Sequence, residues 1–432
     1  MSTVMEAGSR VRAVMRNQLD DPLARNGYAL VLNTLCTGGL GVLYWVLAAR
    51  LFTPAEVGRD AAALTAMALL ASVGGMNLAG ALAFLLPRLG GSTRGVLLRS
   101  YGWSSAFIAV LAAGFLLAVR LRVVSLPFLV ASAAAAAFFL VATVLWGIFT
   151  LQDGALTGMR AAPWVLAENV SYGVVKLGAL AVLGWFGVEH GIYLSWILPV
   201  LIAVPLVSAL LFGRLLPAVA DRADRVDGGG TAVRRFVGLN YGSALFYQGY
   251  VNVMPLLVLG VLDSRANGLF YVAWTWAIAI DLVSHSIGAA LTVEGSADPS
   301  RLAELTRSSS RRLAVLLGGG GTFVVVAAPW LLAVYGPEYA DHATGVLRLL
   351  VLGSVPRAVV IVAQSAARAR GEGRLVLWTE VITFATVLGL AAALLTPMGP
   401  AAVGVAWLVG NGVVALLVLP WLVSHVRSGR PA

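Results

Sequence analysis

Several ionisable side chains of this 432-residue chain stand inside long apolar stretches. Buried in hydrocarbon, each is disfavoured by at least a few kcal/mol unless it faces a cavity or a partner. Glu168, Tyr172 and Lys176 follow one another at i, i+4 and i+8, which on a helix places them along one slowly drifting stripe. Asp281 and His285 stand at i and i+4. Arg357 and Gln364 are seven apart and nearly eclipsed, Arg368 follows one turn later, and Glu380 lies in the next apolar stretch. Uncharged polar groups extend the set: Asn33, Asn77, Asn240, Gln248, Asn252 and Asn411.

Lys176 and Arg357 fall near the middle of their apolar stretches, one in each half of the chain, and two cations at mid-depth suit an anionic ligand. The alternative is internal neutralisation, Lys176 by Glu168 and Arg357 by Asp281, each pair a clip within its own half. Asp281 with His285 offers a site for proton or sodium coupling. Glu168 and Glu380, nearer the ends of their stretches, read as braces of the adjoining turns, with ion coupling as their functional alternative. The amides are more often interhelical hydrogen-bond glue than ligands. Other chemistries are disfavoured. The four histidines are scattered, Cys36 is the only cysteine, and neither makes a metal-ligand pattern. No phosphate-binding G-x-x-x-x-G-K-[ST] loop, catalytic carboxylate pair or long outer loop occurs, so neither an enzyme nor a resident cofactor is expected.

The elements that hold these residues follow from composition. The chain is 59% hydrophobic and 12% charged, which describes an all-α integral membrane protein rather than a soluble domain. A spanning helix needs roughly 20 apolar residues. Stretches of that kind lie near 28–49, 62–86, 100–119, 124–149, 162–186, 191–212, 237–262, 267–291, 312–335, 344–367, 375–396 and 400–424, twelve in all. With both ends on the cytoplasmic side, 22 basic residues fall in inner segments and 6 in outer ones, the bias of a bacterial inner-membrane protein. That bias accounts for the net charge of +10 without nucleic acid. The run Tyr28 to Ala49 is too long for a cleaved signal and ends in Arg50, so it is expected to stay as the first span.

An internal repeat is present. Arg50–Gly58 can be laid on Gly260–Gly268, and Gly158–Glu168 on Arg370–Glu380, at offsets of 210 and 212 residues. Near-equal offsets predict two pseudo-symmetric six-helix lobes of the same orientation around a central cavity. The expected organisation is a basic N-terminal segment 1–27, a lobe 28–213, a cytoplasmic linker 214–236 with five arginines and a Gly-Gly-Gly run, a lobe 237–424 and a tail 425–432.

RNGYALVLNTL (Arg25–Leu35), VLAARLFTPAEVG (Val46–Gly58), NLAGALAFLLPR (Asn77–Arg88) and VYGPEYADHATGVLRLLVLGSVPRAV (Val334–Val359) resemble polysaccharide-export flippases of the multidrug/oligosaccharidyl-lipid/polysaccharide superfamily. The resemblance implies a V-shaped pair of lobes that moves a polyprenyl-diphosphate-linked oligosaccharide from inner to outer leaflet by alternating access, beside glycan polymerase partners. It would have Lys176 and Arg357 meet the diphosphate, with Arg88 and Arg368 at the inner mouth. Drug exporters of the superfamily tend to keep an acid in the first span, where this chain has only Asn33, and lipid II flippases have fourteen spans. The competing classes are a cation-coupled drug or metabolite antiporter and a non-transport membrane subunit or enzyme of glycan assembly.

Overall fold

The computed structural model describes residues 22–76, 78–89, 93–217 and 229–428. Residues 1–21 of the basic N-terminal segment, 218–228 of the linker and the last residues of the tail lie outside the described residues, as does Asn77. Among those described, the chain is wholly helical, and 12 helices are long and apolar enough to cross a membrane. The first six spans are α1 (Pro22–Leu51), α2 (Pro54–Gly75), α4 (Thr93–Arg120), α5 (Ala133–Gly158), α6 (Ala162–Trp185) and α7 (Gly191–Leu210, continued by a π-turn Leu211–Leu215), with a short α3 (Leu78–Leu89) after α2. The last six are α8 (Gly229–Val261), α9 (Ser264–Ala297), α10 (Leu302–Leu316) continuing through a π-turn into α11 (Thr322–Ala333), α12 (Pro337–Ala369), α13 (Gly373–Met398) and α14 (Ala401–Ser428). Short connections make successive spans run in opposite directions. We call the side where α1 begins and α14 ends the terminal face, and the other the distal face.

Two spans are displaced along the chain from the hydropathy reading, and several others begin earlier than it placed them. The second span begins at Pro54, not near residue 62, and stops at Gly75. Its start is set by polar chemistry that hydropathy does not see: Pro54 is in the first helical turn, and Thr53 and Glu56 form a reciprocal capping box. Met76 then closes the helix in the left-handed region at φ 46°. The fourth span begins at Ala133 rather than 124, because Pro127 starts a 3-10 turn and Ser132 caps the helix by accepting from the Ala135 amide.

Four packing pairs of the first half have counterparts in the second. α1 packs on α6 as α8 packs on α13, α2 on α5 as α9 on α12, α5 on α7 as α12 on α14, and α6 on α7 as α13 on α14. Two six-helix lobes of like fold result. They meet chiefly through α2, which lies against α8 and α9. Ala61, Ala62, Ala63 and Ala66 of α2 are all fully buried, and such small residues let backbones approach closely where lipid offers no hydrophobic drive.

Near the distal face α2 and α9 touch backbone to backbone at Gly58 and Gly268. A Cβ on Gly268 would stand 1.9 Å from the Pro54 carbonyl oxygen, and one on Gly58 would stand 2.4 Å from the Gly268 nitrogen. These are the two glycines that the repeat equates. A residue that touches its own equivalent lies on the two-fold axis of an isologous contact, so the pseudo-axis passes through this crossing. Asn267 Nδ2 donates to the Gly58 carbonyl at 2.7 Å, and Arg50 reaches across to donate to the carbonyls of Ala333 and Val334 at 2.9 and 2.8 Å. Toward the terminal face the lobes instead enclose a cavity of about 520 Å³, bordered on one side by the Tyr241 hydroxyl donating to the Val73 carbonyl at 2.8 Å.

Candidate functional site

The cavity between the lobes is lined by α2, α3 and α5 from one side and α8 from the other. Its wall carries Trp146, Tyr241, Tyr247, Gln248, Thr150 and Ser72, and no charged side chain among the described residues. Aromatic faces with hydroxyl and amide groups can pack on a ligand and hydrogen-bond it without a charge partner.

The charges sit one ring behind this wall. In the first lobe Lys176 of α6 is 6% exposed, and its Nζ lies 3.4 Å from the Trp196 ring centroid, 4.5 Å from that of Tyr44 and 5.2 Å from that of Tyr172. Three ring faces hold the ammonium by cation–π attraction. Tyr44 is fixed by its hydroxyl, which donates to the Ile192 carbonyl at 2.9 Å, and Tyr172 by donation to the Trp196 carbonyl at 3.0 Å. The Lys176–Glu168 clip is absent: among the described residues Lys176 meets no carboxylate. Trp146, on the cavity wall, stands 6.1 Å from both the Trp196 and the Tyr172 rings.

In the second lobe Arg357 of α12 is 1% exposed and carries two carboxylates. Its Nε is 3.3 Å from Asp281 Oδ1 of α9, and its Nη2 is 3.5 Å from Glu380 Oε1 of α13. His285 Nε2 approaches Asp281 Oδ2 at 3.4 Å and Arg357 Nη2 at 3.4 Å. Tyr247, on the cavity wall, donates to Asp281 Oδ2 at 2.9 Å, and its ring lies 5.6 Å from the guanidinium. Gln364 Nε2 donates to Glu380 Oε1 at 3.0 Å and to Thr379 Oγ1 at 2.9 Å. The charge of Arg357 is therefore matched inside its own lobe. Arg357 Nη1, Glu380 Oε2 and Gln364 Oε1 remain buried without a hydrogen-bond partner.

Helical periodicity brings a second copy of part of this cluster into the first lobe. Gln152 and Glu168 stand 212 residues before Gln364 and Glu380, the offset already seen in the turn between their helices. No arginine completes the copy. Gln152 turns its amide to the Val204 carbonyl and Ser208 Oγ, both at 2.9 Å, and both Glu168 oxygens stay buried and unpartnered. Glu168 borders an apolar groove of about 460 Å³ between α6 and α7, open past the exposed Ile202 and Leu206.

The remaining sequence candidates are scattered. Gln248 lines the cavity and its carbonyl accepts from the buried Asn252. Asn33 Oδ1 on α1 is buried without a partner, Asn411 donates to the Trp407 carbonyl within its own helix, and Arg368 is half-buried on α12. The side chains of Arg88 and Asn240, like Asn77, lie outside the described residues.

Sequence reading missed Asp60, a fully buried acid near the distal end of α2. Its Oδ1 lies 3.0 Å from His190 Nδ1 and 3.6 Å from Arg59 Nε, and its Oδ2 accepts from the Tyr193 amide at 3.2 Å. Starting the second span at residue 62 left Asp60 in a turn. The Thr53–Glu56 capping box was the signal that places it inside the helix.

No protein-family model and no curated protein matches the sequence. Solved structures do match its fold. A multidrug resistance MATE family transporter of the MOP superfamily, in its inward-facing conformation, superposes with TM-score 0.62 at 14% identity over 95% of this chain and 98% of that one. A MOP superfamily transporter from Pyrococcus furiosus, described as having a binding pocket of reversed polarity, gives 0.63 at 14% over 95% and 97%. The lipid II flippase MurJ in an inward closed conformation gives 0.64 at 11% over 92% and 90%. The chain thus has the fold of these transporters and this flippase.

Proposed function

We propose that this multi-pass membrane protein is a flippase that translocates a polyprenyl-diphosphate-linked oligosaccharide from the inner to the outer leaflet by alternating access. The observation that carries this reading is Lys176, a buried cation held by aromatic rings and left without a carboxylate. A diphosphate is the complement of such a group, because a water-poor site strengthens charge pairing. The uncharged aromatic and amide wall in front of it suits a glycan. Rotation of Trp146 would open the way from cavity to ammonium. The terminal face is then cytoplasmic, the glycan and diphosphate enter between the lobes, and the polyprenyl tail stays in lipid.

Arg357 serves the same anion from the other lobe through its free Nη1, while Asp281 and Glu380 hold it between cycles. Substrate must bind both end states similarly, since a ligand much tighter to one state traps it. Lys176→Gln should lower glycan export at least tenfold at unchanged membrane level, and Lys176→Arg should retain part of it. This is read by surface glycan in cells carrying only the variant. Full export by Lys176→Gln would sink the anion-anchor reading.

Glu168 is the coupling site for a proton or sodium ion, because it lacks the arginine that pairs its second-lobe equivalent, Glu380. In proteoliposomes an imposed ion gradient should stimulate translocation by the unsubstituted protein and leave Glu168→Gln unmoved; equal stimulation of both would remove this role. A second reading, a cation-coupled drug antiporter, is favoured by the same residue, since an unpaired carboxyl beside an apolar groove fits an amphipathic cation. Ethidium efflux that requires Glu168 and not Lys176 would establish it.

A further inference from the structure

The transport reading leaves α10 unused. This helix is amphipathic. Leu302, Thr306, Ser309 and Leu313 are buried against the bundle, and the opposite face carries Arg307, Arg311 and Arg312. These three arginines line a groove of about 650 Å³ with Val315, Leu316 and Ile287 of α9. None of the three has an ion pair or hydrogen bond among the described residues. Glu304, also at the rim, is engaged by Arg301 at 3.6 Å. The groove therefore presents three uncompensated guanidinium groups.

Its depth is set by helix geometry. Residues Pro299–Ala333 form one continuous span of 35 residues. Counting from Ala333 toward the terminal face at 1.5 Å per residue reaches Arg312 after about 32 Å, and the hydrocarbon core of a bilayer is about 30 Å thick. The arginines thus stand at headgroup level. Below them polarity reverses along the same face. Val315 lies one turn beneath Arg311 and Leu316 one turn beneath Arg312, both exposed and both lining the groove with Ile287. A cationic shelf above an apolar wall follows the outline of a phospholipid, phosphate above and acyl chain below.

We propose that this groove binds an anionic phospholipid, its phosphate on Arg307, Arg311 and Arg312 and one acyl chain along Val315, Leu316 and Ile287. Among the described residues the groove is bordered by α9 and α10 alone, so its occupant stands beside the transporter rather than passing through it. Charge complementarity selects an anionic lipid over a zwitterionic one, as for basic pockets between membrane helices generally.

The test titrates the full-length protein in detergent with fluorescent phosphatidylglycerol and competes it with unlabelled lipids. Unlabelled phosphatidylglycerol should displace the probe and phosphatidylcholine should not. At roughly fivefold per arginine, Arg307→Gln/Arg311→Gln/Arg312→Gln should bind about a hundredfold more weakly, with the matching triple Lys variant close to the unsubstituted protein. The exposed control Arg301→Gln should bind normally. Undiminished binding by the triple Gln variant, or equal displacement by phosphatidylcholine, overturns the proposal. Displacement by undecaprenyl phosphate at far lower concentration than by phosphatidylglycerol overturns it too, by making a polyprenyl lipid the occupant. Should the triple Gln variant fail to fold, single Arg311→Gln and Arg312→Gln variants decide the matter, each expected to weaken binding roughly fivefold.

Discussion

Arg357→Gln should unfold the second lobe before it can be assayed. The guanidinium stands between Asp281 and Glu380, all three side chains 1–2% exposed. Its removal leaves two carboxylates without their guanidinium in a medium that cannot solvate them, with, among the described residues, only His285 and Tyr247 at Asp281 and Gln364 at Glu380. Breaking a buried ion pair by deleting one partner costs about 3–5 kcal/mol, and here one deletion strips two acids. The charge-balanced triple Arg357→Gln/Asp281→Asn/Glu380→Gln should recover most of that loss, because it leaves polar groups but no uncompensated charge. Thermal unfolding in detergent reads both. An Arg357→Gln protein that unfolds within a few degrees of the unsubstituted one would mean that water or another cation reaches the cluster. The Lys176→Gln protein should show no such loss, since no carboxylate depends on Lys176, and this contrast separates the two cations.

Gly268→Ala is expected to have the largest effect on the transport cycle. Its new methyl carbon would start 1.9 Å from the Pro54 carbonyl oxygen, and ordinary contact begins at 3.4 Å. Both neighbours are backbone, so no rotamer change relieves the clash and α2 must move away from α9. Overpacking of this kind costs about 1–3 kcal/mol. The cost falls only on conformations in which the distal ends meet, so the population shifts toward those in which they are apart. Spin labels on the distal ends of α1 and α11 should report a longer mean separation, and glycan export should fall. Gly58→Ala should act in the same direction, because the two glycines face each other across the pseudo-axis. An unchanged distance distribution for Gly268→Ala would show that the crossing is not part of the moving contact.

Much of this architecture was legible from residue order. Twelve apolar stretches, the alternation of basic turns and the two repeat offsets led to a two-lobed membrane bundle. The offset even placed Gly58 over Gly268, the pair that meets, and Glu168 over Glu380. Span limits were less accurate where polar residues begin a helix. Pro54 with its capping box and Ser132 set starts that hydropathy averages cannot resolve, and Asp60 was lost for that reason.

What the sequence by itself determined is the set of residues that are costly to bury, because that cost depends on side-chain type and apolar context alone. Lys176, Asp281, Arg357, Glu168 and Glu380 are recognisable on that ground. Only the tertiary structure decided which of them compensate each other. Arg357 found Asp281 on α9 and Glu380 on α13, 76 residues before and 23 after it. Lys176, four and eight residues from Tyr172 and Glu168, turned instead to the ring of Trp196, brought to it by α7. Helical spacing fixes which side chains share a face, but a charge is satisfied by whatever the neighbouring helix presents at its tip. That choice is made by packing, and it is why one lobe keeps an open cation while the other holds its own.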